Sequence, residues 1–284
     1  MAPRTEIVPA KAIWGRCGSI FDPNCTGNYD NQDGGNDEWT QRLKTHESQV
    51  DPAANVGATY MMDSWYIARQ DINIYNSMAT VTGTPHYQSS MWSFSGQSNF
   101  RLGAAIDRWV DPSNLPPNSM NSELAVNEGH AKLAVKATDL GNGTWRYDYA
   151  VMNFDFARAV TQSQAGHGPD PRVVSNMGFD SLSIPAGGTI GATTFSNGTV
   201  DGANAWTASN ANGSVVWTAP TGGTLDWGTM YSYSIVSSSA PVAGTATLHV
   251  AQSGTPASYD VATLVPAPSG PDDRLFTDGF DGTP

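Results

Sequence analysis

Asp30, Asp33, Asp37 and Glu38 fall within one short polar stretch, interleaved with Asn31 and Asn36. Hard oxygen donors of this kind are what Ca²⁺ collects from a flexible segment. The spacing lacks the distant bidentate Glu of an EF-hand, so a solvated loop is the competing reading, and calcium is the one cofactor the sequence suggests. Cys17 and Cys25 lie eight apart in a stretch rich in Asn, Asp and Gly, where no helix would hold them as a paired metal site. A local disulfide is expected; so short a ring contributes roughly 2–3 kcal/mol and requires an oxidising compartment. Two unpaired thiols are the alternative.

Aromatic chemistry is the next candidate, because sugars present apolar faces to rings and polar edges to Asn and Asp. Trp145 and Trp217 lie in strand-like runs and read as buried anchors, whereas Trp206 and Trp227 lie beside Gly/Asn turns. Those two are expected at an exposed rim and are the ligand-binding candidates. Asp107, Asp111, Glu123, Glu128 and Asp148 could supply the carboxylate pair of a glycoside hydrolase, although any acidic β-protein offers as many. Ser95-Gly96-Gln97-Ser98 lacks the strand-to-helix context of a nucleophile elbow. His46, His86, His130, His167 and His249 show no i, i+4 pair and no HExxH. Glu128 and His130 would share a face of one strand and are expected to pair there.

Whatever these groups do, mostly strands must position them. The 284 residues include 29 glycines and 18 prolines, and charged residues are only 14%, a balance that favours turns over long helices. Acids outnumber bases 26 to 14, giving a net charge of -12, so nucleic acid is an unfavoured partner. Apolar residues are too evenly spread for a membrane span.

Trp39 to Val50 is too weakly striped for a firm helix, and strand or coil is equally open. Strands are expected in Val56 to Arg69, around Met91-Trp92-Ser93-Phe94 and in Val173 to Ile184, with Asn73-Ile74-Tyr75-Asn76 able to pair as well. Further strands are expected at Ser214 to Thr218, Met230 to Val236, Thr245 to Ala251 and Tyr259 to Val265. The clearest signal is a hairpin of Ala131 to Thr138 and Thr144 to Asn153 across Asp139-Leu140-Gly141-Asn142-Gly143. Its second strand places Trp145, Tyr147, Tyr149 and Val151 on one face, expected to be core, and Arg146, Asp148, Ala150 and Met152 on the other. The expected fold class is all-β, an antiparallel β-sandwich, with room for a smaller β-rich N-terminal segment. The expected organisation is a loop-rich segment at 1–55 carrying the disulfide, a sandwich region of one or two subdomains at 56–265, and a flexible tail at 266–284.

Three blocks, Gly143 to Asn153, Ile184-Pro185 and Leu225 to Tyr231, resemble those of a functionally uncharacterised family of exported, β-rich bacterial proteins. The likeness runs from Pro3 through Asp51 to Tyr60 and on to about Val265. Arg274-Leu275-Phe276-Thr277-Asp278-Gly279-Phe280-Asp281 is similar to a short LFxDGF-type C-terminal signature of exported Gram-negative proteins. The resemblance implies export and a β-rich fold, brings no activity or site residue, and implies that the chain is the C-terminal part of a longer member. Met1 to Glu6 is followed by no apolar run of signal length, which agrees with that expectation.

The resulting expectation is a secreted or cell-surface protein, non-catalytic, that binds glycan or matrix or packs within a larger assembly. A secreted polysaccharide hydrolase or lyase using paired carboxylates is the alternative. A cleft with converging carboxylates would favour the enzyme, and a grooved aromatic surface the binding module.

Overall fold

The computed structural model describes residues 4–13, 24, 45–67, 73–162, 171–199 and 202–268. Cys17, Cys25, Asp30, Asp33, Asp37 and Glu38 lie outside the described residues. In chain order the strands are β1 (Tyr60–Ser64), β2 (Ala79–Gln88), β3 (Met91–Leu102), β4 (Ser119–Val126) and β5 (Gly129–Asp139). Next come β6 (Trp145–Asn153), β7 (Arg158–Gln162), β8 (Arg172–Met177), β9 (Phe179–Pro185) and β10 (Ile190–Ser196). The series ends with β11 (Thr207–Ala211), β12 (Ser214–Thr218), β13 (Thr229–Ser237), β14 (Pro241–Val250) and β15 (Ser258–Pro266). Among the described residues two short α-helices accompany them, α1 (Glu47–Val50) ahead of β1 and α2 (Ala105–Trp109) between β3 and β4.

Two five-stranded antiparallel sheets, ordered β10-β13-β6-β5-β4 and β11-β12-β9-β14-β15, face one another as the expected sandwich. Period-2 alternation decides which side chains enter the space between them. From the first sheet come Leu133 and Val135 of β5, Tyr147, Tyr149 and Val151 of β6, and Tyr233 and Ile235 of β13. The second sheet answers with Leu182, Ile184, Val215, Trp217, Leu248 and Val250. Trp217 meets Tyr233 edge-on across the core, ring centroids 5.2 Å apart. Two phenols are buried with their hydroxyls satisfied: Tyr147 Oη donates to the Ser239 carbonyl at 2.7 Å and Tyr149 Oη to that of Leu264, in the opposite sheet, at 2.9 Å.

The hairpin β5–β6 forms as expected, Asp139 opposite Trp145. Its loop turns because Gly141 and Gly143 take φ of 74° and 79°, in the left-handed region that glycine enters without penalty. The Asp139 carboxylate accepts the Gly141 N–H at 2.8 Å and the Asn142 side-chain oxygen Oδ1 that of Thr144 at 3.1 Å.

Other expectations are corrected. The run Val173 to Ile184 is two strands, broken at Gly178: β8 pairs with β7 in a separate ribbon and β9 enters the second sheet. A side chain at Gly178 would lie 2.0 Å from the Leu225 carbonyl oxygen, because Leu225 and Phe179 exchange backbone hydrogen bonds of 2.7 and 3.2 Å there. Within Val56 to Arg69 the strand is confined to Tyr60–Ser64. Ile74–Ser77 is a 3₁₀ turn, whose Tyr75 N–H donates to the Asn73 side-chain oxygen at 3.0 Å. Helix exists at Glu47–Val50, capped by His46.

A second layer covers part of the first sheet's outer face. β1-β2-β3 form an antiparallel meander, and the segment that follows it, with α2, sets Ala104, Ile106 and Val110 beside Met78 against Ala134, Ala150, Met152 and Phe154. A third cluster packs Ile7 and Val8 of the N-terminal segment on Ala157, Val173 and Trp227.

Candidate functional site

Trp206 and Trp227 are 4% and 8% exposed, so the expectation that they stand at a rim is corrected. The turns beside them do lie at the sandwich periphery, but other chain folds over both rings. Trp206 stacks on Phe195 at 5.8 Å, and its Nε1 donates to the Gly223 carbonyl at 2.7 Å. Trp227 is covered by residues 4–13: its Nε1 donates to the Arg4 carbonyl at 3.1 Å, and the Arg4 guanidinium lies 5.7 Å from its ring.

Each of the five carboxylates has its own hydrogen-bond partners, and Asp107 and Glu123 both act on Tyr75. Asp107 accepts from Lys132 Nζ at 2.7 and 2.8 Å and from Asn121 at 2.9 Å. Asp111 accepts from Arg101 at 2.7 Å, Glu123 from Tyr75 Oη at 2.8 Å, and Asp148 from Arg146 Nε at 2.9 Å. Glu128 sits in the β4–β5 turn and takes both arms of the Arg158 fork, at 2.6 and 2.7 Å, with Tyr259 Oη at 2.7 Å. The expected Glu128–His130 pair is thus replaced by two others, because β5 begins between them, at Gly129. His130 binds Asp155 instead, through Nδ1 at 3.0 Å and its backbone N–H at 2.6 Å.

These partners set the protonation. The Asp155 carboxylate raises the His130 pKa against the opposing effect of burial. Burial, reinforced by Glu123, pushes the Tyr75 phenol far above its ordinary value. The Arg158 hydrogen bonds hold Glu128 below the usual carboxylate range despite burial. A depressed folded pKa contributes stability that is present above the unfolded value and lost as pH falls through the folded one. Glu128→Gln is therefore expected to cost about 2 kcal/mol at pH 7, by leaving the Arg158 guanidinium without its counter-charge. The difference from the parent should close on acidification below the carboxylate range. Urea melts of both proteins across that range check it, and a pH-independent difference would contradict the ionic reading.

A groove lies on the outer face of the first sheet. Its floor is the face of β6 that carries Arg146, Asp148 and Ala150, extended by Ser232 and Ser234 of β13 and Thr194 of β10. Its wall is Met61 of β1 with Ile106 and Trp109 of α2, and it encloses about 480 Å³. Thr194 and Ser234 share a hydroxyl hydrogen bond of 2.6 Å. Lys136 Nζ lies 5.2 Å from the Trp109 ring, a cation–π contact. Among the described residues lining it, Asp148 is the single carboxylate. The arrangement offers an indole, a thioether wall, a row of hydroxyls and an Arg–Asp fork, which can bind by stacking and hydrogen bonding. Elsewhere His86 holds Ser93 and Ser95 at 3.0 Å through its two ring nitrogens, on the exposed β2–β3 hairpin. Among the described residues no group of three or more His, Cys, Asp and Glu is arranged to hold a metal, and no helix is long and apolar enough to cross a membrane.

Fold and site together define an antiparallel β-sandwich with a walled groove on one outer sheet face. No family model, curated protein or solved structure matches the chain.

Proposed function

We propose that this is a non-catalytic, exported or cell-surface protein that binds a glycan in the outer-face groove. The observation that carries the reading is the meeting of the Trp109 indole with the hydroxyls of Thr194, Ser232 and Ser234 and the Arg146–Asp148 fork. A sugar ring needs that combination, an apolar platform for its C–H face and directional donors and acceptors for its hydroxyls. With one carboxylate among the described residues of the groove, the two-carboxylate arrangement of glycoside hydrolysis gains no support from it. The low charge content and the abundance of Thr, Ser, Asn and Gly support export.

A glycan array read for binding and, by mass spectrometry on the same plates, for products tests this. Binding without cleavage is expected, and Trp109→Ala should weaken it at least tenfold, about 1.4 kcal/mol, as loss of a central aromatic does. Cleavage would transfer the reading to a hydrolase or lyase. A second reading, a structural element within an assembly, is favoured by β3, an edge strand with Phe100 and Leu102 69% and 68% exposed. Concentration-dependent self-association in sedimentation equilibrium, with a silent array, would select it.

A further inference from the structure

The groove does not end at Trp109. Met61, Trp109 and Lys136 also line a second hollow of about 440 Å³, which opens toward Arg101 and Arg108. Thr59 and Thr82, at its far side, line a third of about 320 Å³ with Asn55, Thr84 and Ser98. The three form one track: an aromatic and hydroxyl-rich end, a basic middle and a hydroxyl-rich far end. Such a run suits a chain of sugar units better than a single ring.

Its charge runs against that of the molecule. The chain holds 26 acids and 14 bases, so a surface sampled in proportion would be acidic. Among the described residues the track is lined instead by Arg101, Arg108, Lys136 and Arg146 against Asp148 alone. Arg146 is occupied by Asp148 and Arg101 by Asp111. Among the described residues Arg108 donates to the Asn99 backbone carbonyl, and Lys136 rests on the Trp109 ring. Among the described residues neither has a carboxylate at ion-pair distance. An acidic protein that gathers uncompensated cations into one concave track focuses an attractive potential there and repels anions elsewhere.

We infer that the ligand is an acidic polysaccharide, whose anionic groups lie against Arg108 and Lys136 while a neighbouring unit stacks at Trp109. This rests on the glycan reading of the groove and adds to it the ligand's charge and polymeric length. Uronate carboxylates and sulfate esters share the chemistry, and the test separates them.

The full chain is titrated with polygalacturonate, dextran sulfate and neutral dextran at about 20 mM and about 300 mM NaCl, a range over which surface electrostatics are progressively screened. One polyanion should bind and weaken with salt, and which one it is assigns carboxylate or sulfate. The double variant Arg108→Gln/Lys136→Gln should weaken that binding about tenfold, as loss of two exposed charge contacts does. Lys136→Arg, which keeps the charge on the ring, should retain it, and unchanged melting temperatures exclude misfolding as the cause. Dextran binding that is as tight, or polyanion binding indifferent to the double variant, overturns the inference. Neutral binding lost in Trp109→Ala would overturn it while leaving the groove reading intact, and silence of every polysaccharide overturns both. Tighter binding of oligo-dT through the same two cations would replace the polysaccharide by nucleic acid.

Discussion

Replacing Asn153 by Asp should cost on the order of 3–5 kcal/mol at neutral pH, the range for an uncompensated buried charge. Asn153 is fully buried at the end of β6. Its amide nitrogen donates to the carbonyls of Phe156 at 3.0 Å and Leu225 at 2.9 Å, and its oxygen accepts the Phe156 N–H at 2.9 Å. A carboxylate keeps the shape but turns a double donor into an acceptor facing two carbonyl oxygens. A protonated carboxyl can restore one of the two donations. Burial raises the folded pKa of the introduced group above its unfolded value near ~3.9. The variant's relative stability is therefore fully present below that unfolded value and lost as pH rises through the folded pKa. Urea melts of parent and variant between about pH 4 and 8 should show the gap widening with pH. A constant gap would mean that shape alone matters at this position, and Asn153→Ala gives the shape-independent baseline.

Gly178→Ala should be comparably severe, about 3 kcal/mol or more, as forced overpacking against backbone can be. The added methyl would meet the Leu225 carbonyl oxygen at 2.0 Å and the Asn153 amide nitrogen at 2.8 Å. Neither can retreat cheaply, since that oxygen accepts from both Phe179 N–H and Asn153. Gly198→Ala is the control: its Cβ would meet nothing within 4 Å, and its φ of +79° leaves only backbone strain, about 1 kcal/mol. Equal melting temperatures for the two variants would refute the contact argument. Because both severe variants act on the Leu225 carbonyl, their costs should not add.

The sheets were legible where a strand is half buried. Tyr147, Tyr149 and Val151 announce an inward face by alternation, and the Gly-Asn-Gly turn fixes their hairpin. β10 and β11 carried a weaker signal: in β10 only Ile190 and Phe195 are large apolar residues among small and hydroxylic ones, β11 is small and polar with every residue exposed, and pairing with β13 and β12 makes them strands. In β4, Met120, Leu124 and Val126 alternate and pack on the core, so that strand was readable though not read. The break at Gly178 depends on a segment almost fifty residues away, which no local pattern reports. The groove was half visible: alternation already separated Arg146 and Asp148 from the core face of β6. What alternation cannot show is that α2 and Met61 arrive over that face. The same limit misplaced Trp206 and Trp227, whose turns suggested solvent until residues 4–13 and the aromatic side chains of the first sheet covered them.

The groove's floor and wall belong to bodies of unequal strength. The floor is the back of the main core, whereas the wall is fastened through a smaller seam, Met78, Ala104, Ile106 and Val110 against Ala134, Ala150, Met152 and Phe154. Regions with less buried apolar surface open at lower free energy than the whole molecule. The wall is therefore expected to open at lower free energy than the sandwich it rests on. A ligand touching both sides binds only the closed form, so its observed affinity is scaled by the closed fraction, and binding energy is returned as a tighter seam. Substitutions at Val110 or Met152, which belong to the seam and do not line the groove, would then tune recognition from inside the protein, without a change to any atom the ligand meets at Arg146, Lys136 or the hydroxyl row.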